Sequence, residues 1–206
     1  MTHIISPTPA ALSYLSSRDK RMAALIDRVG PLSRSGNPDI FSAVIRHIIG
    51  QQISTSAQAT VYARLQALVP AITAESILAL SQDELKSIGI SYRKEDYIRS
   101  FADAVHTGAF DPDSLHALSD AEAIAFLSSL KGIGVWTAEM LLIFTLNRPD
   151  VLSFGDLGIR RGLMMLYRHK EIPKERFLRY QKRFSPYGTT ASLYLWELAG
   201  GKVEGF

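Results

Sequence analysis

A tight Gly132-Ile133-Gly134 turn sits between an apolar run ending at Leu130 and the run Val135-Trp136-Thr137-Ala138-Glu139-Met140. No other stretch constrains this chain as strongly. Two glycines so close together let the backbone reverse without Cβ interference, so the two runs form a helical hairpin rather than one long helix. The reversal directs backbone N–H groups outward at the start of the second run, and exposed donors at a helix N-terminus favour an anion. A phosphate is the expected anion; a plain turn is the alternative for any Gly-x-Gly taken alone. Further on, Ser153-Phe154-Gly155-Asp156-Leu157-Gly158-Ile159-Arg160-Arg161 places a lone carboxylate at the mouth of a basic helix.

Helical periodicity runs through almost the whole chain. Ile40, Phe41, Val44, Ile45, Ile48 and Ile49 recur at helical spacing after Asn37 as N-cap and Pro38 at the first helical position. Ser81 with Glu84, and Ser119 with Glu122, read as capping boxes opening short helices. Tyr97, Phe101 and Val105 mark one face of a helix ending near Gly108, and Val61, Leu65 and Leu68 mark another that stops at Pro70. The run after the hairpin continues through Leu146 until Arg148-Pro149. Segments 159–167, 174–184 and 189–198 supply three more helices, the last closed by Gly200-Gly201. No run alternates as a strand would, so the fold class is all-α.

Composition narrows the chemistry. The 206 residues contain no cysteine, which excludes disulfides, zinc thiolate sites and a cysteine-ligated iron–sulfur cluster. No signal peptide or membrane span is legible, so a cytoplasmic protein is expected. Net charge is only +3, yet residues 160–183 hold nine Lys or Arg against two Glu, which leaves the remainder net negative. One electropositive face is expected, as duplex binding requires; a solvated basic helix pair is the bland alternative.

The hairpin and the aspartate together resemble the helix-hairpin-helix DNA glycosylases with a Gly/Pro-rich loop and an aspartate (HhH-GPD). The Trp136-Thr137-Ala138 version looks most like their alkyladenine branch, the 3-methyladenine DNA glycosylase II family. The resemblance covers roughly residues 39–200. It implies a two-lobed helical bundle: residues 39–150 form the lobe with the hairpin, residues 1–38 pack with the C-terminal lobe of 151–206, and an interlobe cleft holds the damaged base. The implied partner is double-stranded DNA containing alkylated bases, bound by a monomer.

By the same resemblance, Asp156 is the catalytic residue. Breaking an N-glycosidic bond develops positive charge on the sugar, and a carboxylate ~4 Å away at an effective dielectric of ~20 stabilises it by ~4 kcal/mol, about three decades in rate. Capping of the following helix is the structural alternative for Asp156, and the two roles are compatible. Bifunctional members of the superfamily carry a lysine where this chain has Trp136, so Schiff-base chemistry and strand cleavage are not expected. Trp136 and Trp196 match base-pocket positions, where an aromatic ring suits a cationic base; Met140 and Tyr187 are weaker pocket candidates. Gly132, Gly134, Lys131, Thr137, Arg160 and Arg161 are the expected DNA-binding residues. Gln52, in Gly50-Gln51-Gln52-Ile53-Ser54, is the expected wedge filling the gap left by a flipped nucleotide. Backbone carbonyls of Ser128, Leu130 and Ile133 would hold a structural Na⁺ or K⁺ ion, and no other cofactor is implied.

One departure concerns substrate range: Gly188-Thr189-Thr190 follows Ser185-Pro186-Tyr187, where many members have arginine and serine. Two rival readings remain. One keeps the fold and acts on deaminated or mispaired bases such as hypoxanthine or uracil, for which no hydrogen-bonding constellation is legible. The other is a non-catalytic DNA-binding module.

Overall fold

The computed structural model describes residues 3–201 and 203. In chain order the elements are β1 (His3–Ile5), α1 (Pro9–Arg18), α2 (Lys20–Val29), β2 (Arg34–Gly36), α3 (Ile40–Gly50), α4 (Thr55–Leu68), α5 (Ala74–Ala79), α6 (Gln82–Ser87), α7 (Tyr92–His106), a 3₁₀ turn (Pro112–His116), α8 (Asp120–Ser128), α9 (Val135–Phe144), α10 (Leu157–Tyr167), α11 (Lys174–Phe184) and α12 (Gly188–Ala199). Among the described residues the only sheet is the antiparallel pair β1–β2, with His3 opposite Gly36. Three-residue strands are too short to show alternation, which is why the sequence pattern does not reveal them.

Local chemistry explains most boundaries. Ser81 and Glu84, and Ser119 and Glu122, form reciprocal capping boxes at the starts of α6 and α8. The start of α3 differs from expectation. Asp39, not Asn37, is the N-cap, its carboxylate accepting from the Phe41 N–H, while Asn37 accepts from the Asp39 N–H and donates to Ser42 Oγ. Likewise α9 ends at Phe144 rather than Leu146, because Leu146 N–H bonds back to the Leu141 carbonyl and Asn147 takes a left-handed φ of 53°. The buried stripe of α7 is Glu95, Ile98, Phe101 and Ala102, leaving Tyr97 and Val105 half-buried at its flanks.

The chain divides into two compact units. One spans 37–146; the other joins the N-terminal residues up to Gly36 to those from Asn147 onward. In the first, α3 packs against α4, α7 and α9, and α8 packs against α9. Its core carries a run of rings: Phe41 stacks on Phe101 at 5.1 Å, Phe101 meets Phe110 edge-on at 5.5 Å, and Phe110 stacks on Phe126 at 4.7 Å. In the second, α10 lies along α12, and α1 and α2 close over a core of Leu15, Met22, Leu25, Leu163, Phe177 and Tyr194. None of the described helices is long and apolar enough to cross a membrane.

Asp19 turns the corner between α1 and α2. Its Oδ1 accepts from the N–H groups of Arg21 and Met22 at 3.0 Å each, and its Oδ2 accepts from Arg183 at 2.7 Å. The carboxylate is buried, so its removal deletes an N-cap and leaves a guanidinium without its anion. Asp19→Ala should cost about 2–4 kcal/mol in urea unfolding, combining a lost cap with a lost charge-assisted bond, while Asp19→Asn loses less. Equal midpoints for Asp19→Ala and wild type would disprove this role.

Candidate functional site

The hairpin is built by one backbone conformation. Gly132 adopts φ 80°, and a Cβ there would run into the Tyr97 ring, so no side chain fits on either count. Gly134 is the N-cap of α9 with no side-chain cap, and a Cβ at that position would meet nothing within 4 Å. The start of α9 therefore has no capping side chain from its N-cap residue, and the space beside that residue is open. Trp136 follows in the first turn with 46% of its surface exposed, whereas Thr137 and Met140 are buried.

Two recesses share Gln51, Gln52, Trp136 and Thr137 as common wall. One, of about 600 Å³, adds Ser91, Arg93, Lys94, Tyr97 and the two hairpin glycines. The other, of about 410 Å³, adds His47, Gly50, Ile53, Thr55 and Gln58. The first carries the exposed Arg93 and the hairpin backbone, which suits a phosphate backbone. The second has no charged lining residue and an indole at its edge, which suits a base.

In the unit of residues 147 onward, Asp156 N-caps α10, with Oδ1 accepting from the Ile159 N–H at 2.8 Å. The same oxygen accepts from Trp196 Nε1 at 2.9 Å. Asp156 as a whole is only 8% exposed. Gly158 makes this pairing fit: a Cβ there would lie 2.8 Å from Trp196 Cδ1 and 3.1 Å from Asp156 Oδ1. Capping and a fixed carboxylate thus coexist in one residue. Two of the expected site residues, Asp156 and Trp196, are in direct contact.

Other expected residues are placed as follows. Lys131 is exposed and 3.6 Å from Asp96. Arg161 is exposed; Arg160 lies over the Phe154 ring at 5.3 Å, and its Nε is buried without a hydrogen bond. Tyr187 meets Tyr14 edge-on at 5.3 Å and lines a separate cavity of about 150 Å³ with residues of the N-terminal segment. Gln52 is exposed and holds φ 58°, a left-handed conformation uncommon for a residue with a side chain.

The profile described as HhH-GPD superfamily base excision DNA repair protein matches residues 45–186. The chain belongs to this superfamily. Among curated relatives, DNA-3-methyladenine glycosylase 1 of Schizosaccharomyces pombe is 33% identical over 193 residues, covering 90% of this chain and 84% of the relative. Among solved structures, the DNA-3-methyladenine glycosidase of Bacillus halodurans superposes with a TM-score of 0.86 at 34% identity, covering 96% of this chain and 93% of that one. The S. pombe 3-methyladenine DNA glycosylase in complex with abasic DNA gives 0.82 at 33% identity, covering 96% and 98%. The all-α reading and the superfamily resemblance both hold.

Several residues of this HhH-GPD site escape sequence reasoning. Gln51 donates from Nε2 to the Gly132 carbonyl at 2.6 Å, and Lys94 donates to the carbonyls of Ile49 and Gln51. The available signal is the one-turn spacing of Lys94 and Tyr97, which puts both on the hairpin-facing side of α7. His47 is the third omission. Burial first, and then the neighbouring Arg46 charge, push its imidazole down to about 4, so it is neutral at physiological pH.

An unfolded imidazole titrates near 6.5, so between pH 6.5 and about 4 the unfolded chain binds the extra proton and acid favours unfolding. Stability contributed by neutral His47 is complete above pH 6.5 and is lost as pH falls toward 4. His47→Gln should flatten the acid limb by up to about one proton's worth of slope in urea melts from pH 4.5 to 7.5. Superimposable slopes would remove His47 from the account.

Proposed function

We propose that the protein is a monofunctional DNA glycosylase that removes alkylated purines of the 3-methyladenine and 7-methylguanine type from double-stranded DNA, acting as a cytoplasmic monomer. The observation carrying this reading is the Asp156 carboxylate held by the Ile159 N–H and the Trp196 indole N–H on one oxygen. Two N–H donors fix the group without protonating it, so its negative charge has a defined position when positive charge develops on the sugar. The C1′–N bond breaks with its electron pair leaving on the base. Water then adds to C1′, and its proton is released to solvent.

The substrate class follows from what Asp156 can supply. About 4 kcal/mol of charge stabilisation is modest for a neutral leaving base and ample for one already made cationic by alkylation. The uncharged recess beside Trp136 supports the same choice, since it places no positive group against a cationic ring. Trp136 has no amine, so no Schiff base forms and the product is an abasic site in an uncleaved strand. Gly132, Gly134, Lys131, Thr137, Arg160 and Arg161 would hold phosphates, and Gln52 would occupy the vacated place in the stack.

The carbonyls of Ser128, Leu130 and Ile133 are proposed to hold a monovalent cation. Support comes from Ser128 Oγ, buried without a hydrogen-bond partner at the first of the three positions. The Leu130 carbonyl accepts from the Ile133 N–H at 3.1 Å and keeps a second lone pair. Hard oxygen donors of this kind fit Na⁺ or K⁺, which would add positive charge facing a phosphate.

The test is base release from duplex DNA treated with a methylating agent, with products separated by chromatography. Wild type should free 3-methyladenine or 7-methylguanine and leave the strand intact. Asp156→Asn should be slower by about three decades if the charge term is lost entirely. Gly158→Ala, which presses a methyl between Asp156 and Trp196, should slow release by about tenfold, equivalent to 1.4 kcal/mol. Unchanged release by Asp156→Asn would refute the catalytic assignment.

A further inference from the structure

Helix α3 ends at Gly50, and the carbonyls of its last turn point into the loop that carries Gln52. Such carbonyls lack intrahelical donors and form the negative end of the helix dipole. Lys94 Nζ donates to two of the oxygens in this region, Ile49 O and Gln51 O, each at 2.7 Å. Ordinary helix closure accounts for the bond to Ile49. It does not account for the second, to Gln51 beyond the helix, nor for the Gln51 side chain, which reaches 81 residues along the chain to the Gly132 carbonyl at 2.6 Å. Gly132 is the hairpin residue at φ 80°, backed by the Tyr97 ring one turn along α7 from Lys94.

The next residue, Gln52, sits at φ 58° with its side chain exposed. A left-handed non-glycine residue costs about 1–2 kcal/mol and persists only where its neighbours over-determine it. Gln51 and the Lys94 contacts are those neighbours. Burial also lowers the Lys94 pKa, as expected of an ammonium drawn out of water toward carbonyls.

We infer that Lys94 and Gln51 are positioning residues that lock the Gln52 loop to the hairpin, so that the stack-filling side chain and the phosphate-binding N–H groups meet DNA in one fixed register. This rests on the reading of Gln52 as the wedge. Neither residue touches DNA in this role. Each acts through the orientation of Gln52, and that makes the inference testable by a double-mutant cycle.

The experiment measures Kd for a duplex carrying a tetrahydrofuran abasic analogue, alongside single-turnover release of 3-methyladenine from methylated duplex. Lys94→Met removes the donors with little change in length; Lys94→Arg retains them. In the Gln52 background, Lys94→Met should weaken binding and slow release by about tenfold (1.4 kcal/mol of coupling), and Lys94→Arg should recover most of the loss. In a Gln52→Ala background, Lys94→Met should change either quantity by less than about twofold. If Lys94→Met does not fold, Gln51→Ala replaces it, with the same non-additivity toward Gln52→Ala expected.

Equal losses in the two backgrounds would mean that Lys94 serves the fold alone, and the inference fails. So would wild-type behaviour of the singly substituted protein. A wild type that binds the duplex but releases no methylated base would overturn the proposed activity and leave the cycle readable from Kd. A wild type that does neither would overturn both.

Discussion

The left-handed Gly132 is the constraint on which the hairpin and the loops packed against it depend. It reverses the chain between α8 and α9 and sets the start of α9 at an N-cap residue without a capping side chain. It also brings a backbone carbonyl within reach of Gln51. The Tyr97 ring closes over the spot where a Cβ would stand. Sterics enforce the turn twice, by φ and by contact, and so the hairpin keeps its shape without a capping side chain on Gly134. A capping carboxylate or hydroxyl would compete with the anion that the exposed amides attract.

Asp156 follows a different logic, in which one oxygen serves a local helix start and a distant indole at once. The Ile159 N–H is a demand of every helix start, and satisfying it sets the side-chain rotamer. The Trp196 indole adds a donor from a helix 40 residues away, turning a routine cap into a carboxylate with a fixed bearing. Gly158 keeps the space between them clear. Burial of a charge in this manner is tolerable because each N–H directed at it replaces a hydrogen bond to water.

What was legible in the sequence was local. The capping boxes at Ser81 and Ser119, the hairpin glycines, and the limits of α10, α11 and α12 all depend on residues within a turn or two of one another. Asp156 as a cap was equally readable from position. The misses are of two kinds. At the start of α3, Asn37 and Asp39 are both good caps separated by proline, and only the hydrogen bonds decide between them. The other misses are associations distant in sequence: Lys94 on the end of α3, Gln51 on the hairpin, and His47 in the recess that Trp136 also lines. No periodicity announces these, because each residue type is ordinary at its own position and becomes informative only beside its partner. The face of α7 shows the same limit, since Tyr97 keeps the helical spacing of a core residue yet backs the hairpin.

The division of the chain also bears on how it is made. The unit of residues 37–146 is continuous, whereas the other needs α1 and α2 together with α10, α11 and α12. During synthesis the first unit can fold while the C-terminal helices are still unmade, and the apolar faces of α1 and α2, with Leu15, Met22 and Leu25, must wait for Phe177 and Tyr194 to emerge. The amide-bearing hairpin can therefore finish folding before α12, whose Trp196 holds the Asp156 carboxylate, has left the ribosome. For that interval, the nascent chain displays the hairpin's amides while the carboxylate still lacks its fixed bearing.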